Sequence, residues 1–147
     1  MQKIITTDNL WLKVQELVSN ARNKIYSQIN NTIVQTYWHI GKLIVEEEQN
    51  GEKRASYGQA IIASLANKFA EAGEKGFGVA NLGHMRNFYL QFPNYDALRR
   101  ELSWTHYRLL LKVSESQKRS FYELECAKSK WSTRELDRRL VLYYTTV

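Results

Sequence analysis

The chain has 147 residues, 44% of them hydrophobic and 12% aromatic, which excludes a disordered segment and gives enough material for one domain with a buried core. A single cysteine, Cys126, excludes an internal disulfide and fits a reducing cytoplasm, while the absence of a long apolar window excludes a membrane span and MQKIITTDNL lacks the apolar core of a signal peptide. The net charge of +6 is uneven, with twelve of the 21 Lys/Arg but only seven of the 15 Asp/Glu in residues 84–147, so the C-terminal half is expected to face a polyanion.

The first predicted element runs from about Asp8 to Glu48. Leu10, Val14, Leu17, Val18, Ala21, Ile25, Ile29, Ile33, Tyr37, Ile40 and Ile44 recur at helical steps, with Thr7 or Asp8 as the cap and a bend or break at Asn30 and Asn31 left open. This apolar stripe is long for one helix of a small domain, so self-association into a homo-oligomer, or docking of another protein, is a second expectation. Gly41 lies inside the pattern, where glycine costs about 1 kcal/mol relative to alanine. Close approach of another backbone would account for it. Gln49 to Ser56 reads as a polar linker.

A second helix is expected from Tyr57 to Ala72, with Ile61, Ile62, Leu65 and Phe69 inward and glycines after its end. The third runs from Val79 to Gln91, stopped by Pro93, with Val79, Leu82, Met85, Tyr89 and Phe92 toward the core. Residues 57–92 therefore read as a helix-turn-helix-like pair. The other face of the third helix carries Asn81, His84, Asn87 and Gln91, uncharged groups that can read base edges, where a plain solvent face would carry Lys and Glu.

Three short helices are expected over residues 103–144. Ser103 caps one through Val113, Ser114 with Gln117 opens one to Lys128, and Ser132 with Glu135 opens one to Tyr144. Arg139 to Val147 is β-branched and aromatic enough to be ambiguous. The predicted fold is all-α, a single domain over residues 1–147.

No catalytic or metal constellation emerges. His39, His84 and His106 share no helical turn with one another or with Cys126, and zinc sites need tight ligand pairs. Cys126 reads as a small buried hydrophobe, and the four tryptophans as packing groups. Glu46, Glu47 and Glu48 point in different directions on a helix and suit a solvated end. The glycines between Gly73 and Gly83 fit neither a phosphate loop nor a dinucleotide fingerprint. The chain alone is expected to have no enzymatic activity and to hold no cofactor. Arg108, Lys112 and ten other basic residues are spread over the last half. Among them Arg86, Arg99, Arg100, Arg134 and Arg138 are the expected phosphate contacts.

Several segments together resemble a known family. Tyr37-Trp38-His39-Ile40-Gly41 is similar to a YWxIG motif, and Tyr57-Gly58 to the W/Y-G that follows it. Gly76-Phe77-Gly78, Asn81-Leu82, Met85-Arg86 and Phe88-Tyr89 are similar to GFSxxNLxxMRxFY. Leu102-Ser103-Trp104, His106 and Leu109-Leu110 resemble LSWxHxxxLL, and Arg119, Tyr122 and Trp131-Ser132-Thr133-Arg134-Glu135-Leu136 resemble RxxY followed by WSxREL. In order and spacing, from about Leu10 to Leu142, these resemble the N-terminal domain of the bacterial YhcG family.

The resemblance implies a helical domain of helix-turn-helix or winged-helix character, with a small β-wing as an option. It also implies a PD-(D/E)XK nuclease domain in cis, beyond this chain, that would carry the divalent metal. On that view the chain is either a piece of a longer protein or a stand-alone module, and the ending LVLYYTTV, where family members continue, favours the former. The implied function is DNA binding that positions the nuclease. Gly78 departs from the family pattern, which has Ser there; the helix start survives but a phosphate-binding hydroxyl is lost.

Overall fold

A computed structural model describes the backbone of residues 2–50 and 55–145, and the side chains of residues 8–50 and 58–143. Among the described residues there are six α-helices and no strand: α1 Gln2–Asn50, α2 Ala55–Glu71, α3 Val79–Gln91, α4 Trp104–Leu110, α5 Ser116–Ser129 and α6 Thr133–Thr145, with a 3-10 turn at Tyr95–Ala97. The all-helical expectation holds. The ambiguous stretch at the C-terminal end is helical through Thr145, and no wing is present among the described residues. Of the linker expected at Gln49–Ser56, residues 51–54 lie outside the described residues, as does the side chain of Tyr57, while Gln49 and Asn50 belong to the end of α1 and Ala55 and Ser56 to the start of α2.

The first element is one continuous helix of 49 residues, about 73 Å long at 1.5 Å per residue. It does not break at Asn30 and Asn31, where neither Pro nor Gly interrupts the ladder, and Thr36 returns its hydroxyl to the carbonyl of Thr32 at 2.8 Å. It starts before Asp8, so Asp8 is an interior residue and not a cap.

Only the second half of α1 joins the body. Val34, Trp38, Ile44 and Val45 are buried, whereas every residue from Asp8 to Asn30 is exposed. Val34 and Trp38 enter the larger core with Phe88, Leu102, Tyr107, Leu110, Val113, Cys126, Leu136 and Leu140. Ile44 joins Ile62, Leu82 and Met85 in a second cluster under α2.

Gly41 is where α1 and α3 come closest. A Cβ there would stand 2.1 Å from the Met85 carbonyl oxygen, so the glycine admits another backbone as its place in the pattern suggested. Trp38 donates its indole N–H to the Phe92 carbonyl at 2.8 Å, tying α1 to the end of α3. Tyr37 meets Trp104 edge-on at 5.1 Å and Phe77 at 6.0 Å, linking α1 to the start of α4 and the turn before α3.

The capping expectations divide. Ser103 accepts from the His106 backbone N–H while the His106 ring accepts from the Ser103 N–H, a reciprocal box that opens α4. The Glu135 N–H donates to the Ser132 hydroxyl at 3.1 Å at the start of α6. Ser114 does not open α5; the helix starts two residues later with Glu115 as N-cap and no side-chain cap bond. The tight turn after α4, closed by Lys112 and Val113 bonding back to Leu109 and Leu110, and the Arg119 guanidinium donating to the Val113 carbonyl at 2.8 Å, carry the chain past Ser114.

Candidate nucleic-acid interface

The third helix has the bounds expected of it, with Gly78 as an extended N-cap. Its buried face is rotated from the expected one. Leu82, Met85 and Phe88 are buried, Tyr89 and Phe92 are half-buried, and Val79 is exposed. Phe88 prevails over Val79 because it meets an aromatic cluster, with Tyr107 at 4.8 Å and Trp104 at 5.3 Å.

This rotation sorts the four polar residues read as base-facing. His84, Asn87 and Gln91 share the outward side, where Gln91 donates its amide to Asn87 Oδ1 at 3.3 Å. Ala80 and Gly83 lie on the same side and add no bulk; a Cβ at Gly83 would meet nothing within 4 Å. The front half of this face is therefore low and open. Asn81 is turned into the scaffold. Its amide donates to the Gly76 carbonyl at 2.5 Å, and its carbonyl accepts from the Trp104 indole at 3.3 Å.

The expected phosphate contacts are dispersed. Arg86 forms a two-pronged pair with Glu48 at the end of α1, with nitrogen–oxygen distances of 2.6 and 3.0 Å, and this bond pushes its pKa up. Glu48 also lies under Gly58, where a Cβ would come within 2.9 Å of the carboxylate, so the pair packs between α1, α2 and α3. Arg99 sits 3.7 Å from Glu123, and its backbone N–H donates to the Tyr107 hydroxyl at 2.8 Å. Burial raises the pKa of Glu123 despite the neighbouring Arg99, and burial raises that of Tyr107. Arg99 thus fastens a loop to α5.

Arg100 is exposed and borders a shallow polar recess with Asn23, Asn30, Ser103 and His106. On α6, Arg134 is exposed. Arg138 and Arg139 both bond to Glu135, each at 2.8 Å, and hold its carboxyl down to about 2. Both α3 and α6 pack against α4.

Two basic residues not singled out from the sequence lie near the outward side of α3. The helix α4 packs against α3, and burial lowers the pKa of His84, with the positive charges of Arg108 and Lys112 lowering it further, so both cations act on its ring. The signal was incomplete in the sequence: Arg108 and Lys112 stand four apart, but only the packing of Trp104 on Asn81 and Phe88 shows which helix they accompany.

The other two histidines have structural settings. His106 is buried; its Nδ1 accepts from the Ser103 N–H at 3.0 Å, which leaves its Nε2 to donate to the Trp131 carbonyl at 2.8 Å. His39 lies between Trp38 and Tyr95. Cys126 is buried beside the Trp131 carbonyl, and burial pushes its thiol up to about 11. Among the described residues no three His, Cys, Asp or Glu side chains gather as a metal site, and no helix is long and apolar enough to cross a membrane.

Comparison with known proteins gives a consistent family. Residues 13–144 match the model described as the DUF1016 N-terminal domain. The chain is 31% identical over 160 aligned positions to a protein of Escherichia coli (strain K12) named "Putative nuclease YhcG", an alignment covering 87% of this chain and 43% of that relative. The chain therefore spans less than half of the relative's length. No solved structure matches.

Proposed function

We propose that this chain, which belongs to the DUF1016 N-terminal domain family, is a DNA-binding module that positions a nuclease on its substrate. The nuclease part of this reading comes from the name of the E. coli relative. The DNA part rests on one observation: an outward side of α3 built from Ala80, Gly83, His84, Asn87 and Gln91, with Arg108 and Lys112 beside it. Small residues let the helix approach a groove closely, the amides and imidazole offer hydrogen bonds to base edges, and the flanking cations face phosphates. Seven residues, Ala72–Gly78, separate α2 from α3, against the three or four of a typical helix-turn-helix. The pair is thus a longer-turned version of that motif, with α3 as the reading helix.

In this proposal His84, Asn87 and Gln91 keep the base-facing role, while Asn81 and Arg86 hold the reading helix in place. Arg100 and Arg134 are outlying phosphate contacts. Cleavage and its divalent metal belong to a nuclease domain in cis.

Fluorescence anisotropy with labelled duplexes of differing sequence tests the reading. Arg108→Glu is expected to weaken binding to every duplex about equally and to flatten its salt dependence. Asn87→Ala is expected to cost about 1–3 kcal/mol on the preferred duplex and little on the others. Uniform loss across sequences for Asn87→Ala would remove the base-reading role, and unchanged affinity for Arg108→Glu would remove the interface.

A further inference from the structure

The first half of α1 is a bare helix with an ordered apolar face. Trp11, Val18 and Ile25 are spaced by seven, as are Val14 and Ala21 three residues after the first two, which is the a and d pattern of a two-stranded coiled coil. Leu10 and Leu17 extend the face on one side. Leu17 is 70% exposed and Trp11 59%, and a contiguous exposed apolar face of this kind marks an interaction surface. An open trough runs along the helix between Trp11 and Tyr26, bordered by Val14, Val18 and Arg22.

We propose that this arm pairs with the same arm of a second copy, antiparallel, to form a homodimer. Three features favour a second copy in this orientation. The seven-residue repeat is self-complementary. The flanking charges favour arms that run in opposite directions: Asp8 and Arg22 share one flank, so the antiparallel pairing sets Asp8 of each copy near Arg22 of the other, whereas a parallel pairing puts Lys24 of each copy on the same side as Arg22 of the other. The extent also fits. Leu10, Trp11, Val14, Leu17, Val18 and Ile25 are each between 41% and 70% exposed, a continuous row of apolar side chains of the kind a coiled-coil seam buries.

In this register Val14 packs against Val18 of the other copy, Leu17 lies beside its own counterpart, and Trp11 packs against Ala21. The bodies, which begin near Asn31, stand at opposite ends, about 45 Å apart along the paired arms. The dimer is therefore extended and carries two separate α3 faces.

Sedimentation equilibrium of the chain without DNA, across micromolar concentrations, is the first test. A reversible monomer–dimer equilibrium that Val18→Glu shifts to monomer, while the body keeps its thermal transition, is expected. A wild-type monomer at all concentrations overturns the proposal and leaves the arm to another partner.

Cysteine cross-linking fixes the orientation, because Cys126 is buried and an added surface thiol reacts alone. Leu17→Cys is expected to cross-link to its counterpart under mild oxidation. Ile25→Cys, about 27 Å from its counterpart in this register, is not. Cross-linking through Ile25→Cys but not Leu17→Cys means a parallel pair and overturns the arrangement.

Discussion

Gly41 is the residue on which the body depends most sharply. With a Cβ there 2.1 Å from the Met85 carbonyl oxygen and 2.8 Å from its carbon, alanine fits only if α1 and α3 move apart. The neighbour is backbone, so no side chain can give way. Gly41→Ala is expected to destabilise the fold by about 2 kcal/mol or more, the scale of overpacking a core, read as a fall in the urea midpoint. An unchanged midpoint would mean the contact is slack. This position was legible in the sequence because a lone glycine in an apolar helical pattern needs a reason. The role of Asn81 was not, since nothing local says that its amide is claimed by Gly76 and Trp104 before any ligand arrives. Several polar residues of the family-like segments turn out to be fasteners: Trp38 on Phe92, Asn81 on Trp104, Arg86 on Glu48, Arg119 on Val113.

At the scale of elements, local signals served where they were local. The bounds of α3 follow from Gly78 and Pro93, and α4 starts where Ser103 can cap it. Ser103→Ala removes the acceptor of the His106 N–H, and a lost cap of this kind costs about 1 kcal/mol. Urea unfolding is expected to register that loss, whereas an equal midpoint would show that the His106 ring and its bond to Trp131 hold α4 alone. The same kind of serine–glutamine signal failed at Ser114, where α5 begins two residues later and Arg119 bonds back to the Val113 carbonyl. The rotation of α3 was also out of reach. Val79 and Phe88 are both apolar, and only the aromatic cluster of Trp104 and Tyr107 decides which is buried.

At the scale of the molecule, the charge asymmetry pointed to the C-terminal half of the chain but not to one surface. Half of its twelve basic residues are engaged within the chain: Arg86, Arg99, Lys118, Arg138 and Arg139 pair with carboxylates, and Arg119 is buried. Arg108 and Lys112 are the cations that act on His84: burial first, and then their charges, lower its pKa from the ordinary 6.5. A histidine that binds fewer protons folded than unfolded contributes stability at neutral pH that is lost as the pH falls through that ordinary value. A polyanion laid across the two cations reverses the field and raises the His84 pKa.

Nuclear magnetic resonance of the isotope-labelled chain, titrated with a short duplex, tests the central claim most directly. The account predicts amide shifts concentrated in residues 80–91 and 108–112, with the His84 ring titrating at higher pH in the complex than alone. Shifts confined to α6 or to the α1 arm, with the His84 pKa unmoved, would contradict it.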